Sequence, residues 1–127
     1  MKQIKLKSLL LMILALLLPV TAAAYDLQVD GIYYNFDGNN AIVTYGENNY
    51  RGDIVIPERI INNGIEYIVS SIGNAAFYWC SELTSVVLSD SIKSIGNSAF
   101  HKCEALTTII IPYSVTTIDN AAFYGCI

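Results

Sequence analysis

The sequence predicts a solenoid, a β-rich stack of similar coils behind a β-rich start that does not repeat. Three observations predict it. A block, Ile72-Gly73-Asn74-Ala75-Ala76-Phe77-Tyr78-Trp79-Cys80, returns with a 23-residue period as Ile95-Gly96-Asn97-Ser98-Ala99-Phe100-His101-Lys102-Cys103, and again as Ile118-Asp119-Asn120-Ala121-Ala122-Phe123-Tyr124-Gly125-Cys126. A fixed period of this length marks stacked units, none of which can bury its apolar face alone. After each of the first two blocks comes a run of β-forming residues, 83–88 and 106–111. Residues 25–71 are also rich in β-formers but do not repeat.

Residues 1–24 read as a secretory signal peptide. Lys2, Lys5 and Lys7 precede an unbroken apolar run from Leu9 to Leu18, Pro19 ends it, and Ala22–Ala24 supply small residues for cleavage after Ala24. The run is short of the roughly 20 residues that a membrane span needs. The sequence therefore predicts an exported chain with no membrane insertion after cleavage. Without the leader, only Arg51, Arg59, Lys93 and Lys102 face all eleven Asp and Glu, four against eleven, a net charge near −7. Four dispersed cations make no phosphate-binding patch, which excludes a nucleic-acid partner.

Residues 25–71 read as an N-terminal cap. Gly31–Phe36 and Ala41–Tyr45 are strand-like runs around the turn signal Asp37-Gly38-Asn39-Asn40, so a β-hairpin is expected there. Asp53–Ile56 is a short strand stopped by Pro57. A second turn, Asn62-Asn63-Gly64, separates Ile60-Ile61 from Ile65–Val69, and Val69 already stands one full period before Ile92. Terminal units of a solenoid are atypical because they shield the end of the core. Tyr33, Tyr34, Tyr45 and Tyr50 are expected as cross-strand pairs.

Within the units 72–94, 95–117 and the partial 118–127, each slot has an expected task. Asn74, Asn97 and Asn120 are placed to cap short helical turns. Phe77, Phe100 and Phe123 fill the core. In the strands, alternation sends Val86 and Leu88, like Ile109 and Ile111, to one face. Ile92 with Ile95, and Val115 with Ile118, close the coil on its other side.

The pattern Ile-Gly-x-x-Ala-Phe-x-x-Cys-x-x-Leu-Thr-x-Val/Ile-x-Leu/Ile resembles the BspA-type leucine-rich repeat, a 23-residue class of bacterial surface proteins. The likeness covers 72–127 directly, and Val29–Pro57 is similar to the segment that often precedes such repeats. The resemblance implies a leucine-rich-repeat solenoid of short helical turns and β-strands with a β-hairpin cap. It implies a secreted or surface-attached binding protein, with a host or microbial protein or glycan as partner and no catalytic activity. The sequence stops one residue past Cys126, before a third strand. This reads as a truncated or fragmentary member, the N-terminal part of a larger repeat protein, or as an open end completed by self-association or another chain.

Cys80, Cys103 and Cys126 share one slot and read as a reduced core column. Coils about 4.8 Å apart also admit a Cys80–Cys103 bridge. His101 with these thiols invites a zinc or thiol-catalysis reading. However, His101 shares its slot with Tyr78 and Tyr124 and leans outward, so the two slots do not converge. No nucleophile elbow, phosphate loop or paired-carboxylate signature appears. No enzyme, metal or cofactor is implied.

Two surfaces remain as candidate binding sites. On the strand face, Asp53, Ser85 and Thr108 form one column and Val55, Val87 and Ile110 its neighbour. A contiguous apolar column facing water often marks a contact surface, although β-branched residues also serve simply as strand formers. At the turns, Tyr78, His101 and Tyr124 with Trp79 offer an aromatic strip for glycan or peptide, or a cover for the rim of the core.

Overall fold

The computed structural model describes residues 24–127. The leader expected over 1–24 lies, apart from Ala24, outside the described residues. Nine strands follow in order: β1 Leu27–Val29, β2 Ile32–Asp37, β3 Asn40–Thr44, β4 Gly52–Val55, β5 Arg59–Asn62, β6 Ile65–Ile72, β7 Leu83–Val87, β8 Ser94–Ile95 and β9 Thr117–Ile118. They make two sheets on opposite sides of a stack of coils. The larger runs β1-β2-β3-β6-β8-β9 with β5 beside β6, and the smaller is β4-β7.

Antiparallel pairing at the start gives way to parallel pairing down the stack. β2 and β3 meet antiparallel around Gly38 and Asn39, with Asp37 opposite Asn40. β3 then runs parallel to β6, which starts a column of Val43, Ile72, Ile95 and Ile118. β5 and β6 are joined by Asn63 and Gly64, both at positive φ (51° and 75°), as a type I′ hairpin turn requires. This hairpin is an excursion from one coil: the Val69 amide donates to the Glu58 carbonyl at its base (2.8 Å). β4 lies in parallel register with β7, Val55 against Val87, and Val87 bridges to Ile110 in the coil below.

The expected helical turns are absent: no helix occurs among the described residues. Each Asn-x-Ala-Phe segment is instead a chain of tight turns. The amides of Ala76, Tyr78 and Cys80 donate three residues back, to Gly73, Ala75 and Phe77. The intervening amides of Ala75, Phe77 and Trp79 donate down to Asn97, Ala99 and His101 (2.9, 2.7 and 2.8 Å). The next coil repeats the scheme from Ser98, Phe100 and Lys102 to Asn120, Ala122 and Tyr124. A helix would need those same amides inside its own turn. Ala75, Trp79, Ser98, Lys102 and Ala121 all hold φ between 55° and 59°, which fits the third position of a type II turn and breaks a helix.

The asparagines therefore do not cap helices. Asn74 Oδ1 accepts from the Asn97 amide one coil away (2.8 Å). The approach depends on Gly96, where a Cβ would stand 2.5 Å from Asn74 Oδ1 and 2.7 Å from its backbone nitrogen. In the next coil Asp119 occupies the glycine slot, and Asn97 Oδ1 accepts from Ser98 Oγ in its own coil instead (2.9 Å).

Between the two sheets runs one core. Phe77 stacks on Phe100 (4.8 Å, 4°) and Phe100 on Phe123 (5.3 Å, 3°). Tyr50 extends this column, 4.5 Å from Phe77. Its hydroxyl accepts from the Tyr33 amide (3.0 Å) and donates to the Thr44 carbonyl (2.6 Å), tying the loop after β3 to β2. The four tyrosines are thus not a set of cross-strand pairs. Tyr34 is fully buried opposite Val43, Tyr33 faces Thr44, Tyr50 is the latch and Tyr45 is exposed. The strand expected over 106–111 reduces to the single bridge between Val87 and Ile110.

Candidate functional site

The strand face is built by β4, β7 and the segment around Ile110. Alternation turns Val86 and Leu88 inward, where both are buried, and leaves Val87 outside. Val55, Val87 and Ile110 stack across three coils and are 64%, 56% and 85% exposed. A shallow groove of about 480 Å³ follows this face between Ser85 and Tyr113, with Asp90 at its rim. Beside the apolar column, Asp53 faces Ser85. The Asp53 carboxylate accepts from Ser85 Oγ (2.7 Å) and Thr84 Oγ1 (2.8 Å). Those bonds, Ser85 first, hold its carboxyl below the ordinary aspartate range. Thr108 is exposed on the coil below, in the slot that Ser85 fills above it. The structure thus aligns Asp53 with Ser85, and Val55 with Val87 and Ile110.

Thr84 escapes a sequence reading because it belongs here only through a register shift between Gly52 and Asp53. The hairpin of β5 and β6 exposes Ile61, Ile65 and Ile68, of which Ile61 shares a groove with Asp53 and Val55, and Tyr113 stands exposed beside Ile110. Ile60 and Ile61 are adjacent and identical in type, yet the first is buried and the second exposed, so residue type alone does not mark the outward one.

The turn side carries the second candidate. Tyr78 stacks on His101 (4.8 Å) and His101 lies 5.0 Å from Tyr124, so both faces of the imidazole are covered. Its Nδ1 is enclosed without a hydrogen-bond partner. Trp79 stands across the end of this ladder, 6.3 Å from Tyr78 at 61° and half exposed. Lys102 Nζ sits 5.9 Å above the Tyr124 ring, within cation–π range.

The cysteine slot points elsewhere. All three described cysteines are free, Cys80 and Cys103 buried and Cys126 half-buried. Cys103 Sγ donates to the Phe77 carbonyl (3.0 Å) and Cys126 Sγ to the Phe100 carbonyl (3.1 Å), so each thiol ties its coil to the one before. Burial pushes the Cys103 thiol up to about 12, with its cysteine neighbours adding to the rise. A thiol kept protonated makes a poor nucleophile. Among the described residues, no three His, Cys, Asp or Glu side chains group as metal ligands. No helix of the described residues is long and apolar enough to cross a membrane.

A family model for the BspA type leucine rich repeat region matches residues 47–127 in six copies. Among solved structures, a leucine-rich repeat protein from Bacteroides ovatus is 33% identical with a TM-score of 0.75; the match covers 80% of this chain and 27% of that one. A leucine-rich repeat protein from Bacteroides capillosus is 27% identical with a TM-score of 0.63, covering 74% of this chain and 87% of that one. A leucine rich cell surface protein from Faecalibacterium prausnitzii is 27% identical with a TM-score of 0.56, covering 84% and 35%. The chain thus spans about a quarter of the Bacteroides ovatus protein. No curated protein matches it.

Proposed function

The chain belongs to the BspA type leucine-rich repeat family, and from that premise we propose that it is a non-enzymatic binding module of the bacterial cell surface whose strand face adheres to a protein partner. The observation that carries this reading is the exposed apolar column of Val55, Val87 and Ile110. Three β-branched side chains stacked at coil spacing form a rigid strip whose contacts cost little side-chain entropy on binding. The cell-surface neighbour from Faecalibacterium prausnitzii supports the location, and the leader expected over 1–24 supplies the route. In this reading residues 25–71 are the cap, with β2 and β3 laid over the first coil and Tyr50 closing the aromatic column. Residues 72–94, 95–117 and 118–127 are the repeats.

A protein partner is favoured over a glycan by the ring geometry. Sugars bind aromatic faces, whereas the faces of His101 are occupied by Tyr78 and Tyr124. That ladder covers the core rim, and Trp79 is the one ring there standing across its neighbour rather than stacked on it.

The test is saturation binding of the labelled chain to intact bacterial and host cells, by flow cytometry. The wild type binds saturably, and treating the cells with protease removes the sites. The double variant Val87→Glu, Ile110→Glu binds at least roughly tenfold more weakly, a change of about 1.4 kcal/mol, with an unaltered circular dichroism spectrum. Unchanged affinity in that variant removes the strand face from consideration. Sites that resist protease and are lost in Trp79→Ala would transfer the function to the turn side and to glycan.

A further inference from the structure

The smaller sheet has a free edge as well as a face. β4 pairs with β7 alone among the described strands. The Gly52 amide donates to Glu82 and the Ile56 amide to Val87 (both 2.9 Å), so the even-numbered residues serve the ladder with β7. The period of two then directs the N–H and C=O of Asp53 and Val55 away from β7. Such a row of unpaired groups is a template for another strand unless something blocks it.

A groove of about 430 Å³ lies along that side of β4. Val29 and Ile32, which flank the turn after β1, form one wall, and Ile60 of β5 forms another. Ile32 and Ile60 belong to the core, so an apolar side chain entering here would meet packed hydrocarbon. The nearest coil-like neighbour is on the β7 side, and the opposite position beside β4 is left as this groove.

Charge selects the occupant. Asp30 and Asp53 line the groove, and neither makes an ion pair among the described residues. Arg59 also lines it but is committed to Glu66 (3.0 Å), and nearby Arg51 to Glu82 (2.9 Å). Asp53 accepts only from the neutral hydroxyls of Thr84 and Ser85. Negative charge at the groove is therefore uncompensated. We infer that the free edge of β4 docks an extended segment of a partner protein as an added strand, with apolar side chains alternating along it and lysine or arginine toward Asp30 and Asp53. Main-chain bonds supply affinity in such strand addition, and the side-chain pockets and charge supply selectivity. This site uses the edge of β4 and does not depend on the strand-face reading.

The experiment uses the full chain labelled with ¹⁵N and titrated with the peptide Lys-Thr-Val-Thr-Val-Thr-Val-Lys. The expected result is saturable shifts at the Asp53 and Val55 amides and slower hydrogen exchange of both. The fully N-methylated peptide, which keeps side chains and charge but has no amide donors, gives no shifts. Replacing the two lysines by glutamate weakens binding at least fivefold. Asp30→Asn, which suits the positive φ at that turn and removes only the charge, weakens binding of the lysine peptide and leaves the spectrum otherwise unchanged. The Val87→Glu, Ile110→Glu variant, which adds negative charge beside β4 without touching its free edge, binds the lysine peptide at least as tightly as the wild type. Absence of saturation at millimolar peptide, equal binding of the N-methylated form, or loss of binding in the Val87→Glu, Ile110→Glu variant would each overturn the proposal.

Discussion

The coils 72–94 and 95–117 share one sequence pattern and fold to different degrees. Leu83–Val87 is a regular strand, with β4 on one side and the next coil on the other. Its counterpart 106–111 holds a single bridge. Ile92 is fully buried, whereas its counterpart Val115 is half-buried. The turn side does not decay in this way: Phe77 and Phe100 are equally buried and donate down the stack at the same 2.7 Å. A coil's order in this stack therefore comes from its neighbours. The turns carry their own three-residue bonds and need a partner only for alternate amides. The strands have no internal bonds and take all of theirs from neighbouring coils.

The largest test of this comparison is Phe100→Ala against Phe123→Ala. Phe100 is sandwiched between two rings and fully buried, so its loss should cost about 3–5 kcal/mol. Phe123 meets one ring and is partly exposed, and should cost well under that. Urea denaturation reads both, and equal losses would mean that neighbouring coils do not set how much each ring contributes. A smaller contrast lies between Gly96 and Asp119, which share a slot. Gly96→Ala presses a methyl group onto the Asn74 backbone and should cost roughly 1–3 kcal/mol. Asp119→Ala should stay within about 0.5 kcal/mol, because Asn97 has already turned away from that slot.

The smallest effect concerns the thiols. In native protein at pH 8.5, iodoacetamide should modify Cys126 before Cys80 and Cys103, because Cys126 is the least buried of the three; mass spectrometry of digests reads the order. The folded-state value for Cys103 lies above the ordinary 9.0, so folding favours its protonated form. The stabilisation is complete below pH 9 and is lost as pH rises through 9 toward about 12. Thermal melts across that window should fall, and a flat profile would remove the thiol from the linkage. Asp53 runs the other way. Its folded value is depressed, so its contribution is full above the ordinary 3.8 and drains as pH falls through the lower folded value.

Much of this was legible in the sequence. The 23-residue spacing places Phe77, Phe100 and Phe123 in one column, and Val55, Val87 and Ile110 follow from strand alternation. The turn conformation was not legible. Asn before Ala-Ala-Phe fits a helix cap as well as a bond across coils, and local residue types do not distinguish them. Only Gly125, at φ 76° in the slot of Trp79 and Lys102, hints that this position is left-handed. Residues 106–111 have the residue types of a strand, but the ladder with β7 closes there only at Ile110, and β-propensity does not register pairing. The Tyr50 latch joins residues brought together by β2 and β3, which no local pattern encodes.

The most direct test of the central claim, that bonds between coils hold this fold and its binding face, is residue-resolved amide hydrogen exchange. Phe77, Trp79, Phe100 and Lys102 should exchange slowly, since each donates to the next coil, while Ala121 and Phe123 should exchange fast. Uniform protection within each Asn-x-Ala-Phe segment, extending equally to the third, would mean that each coil holds itself without its neighbours.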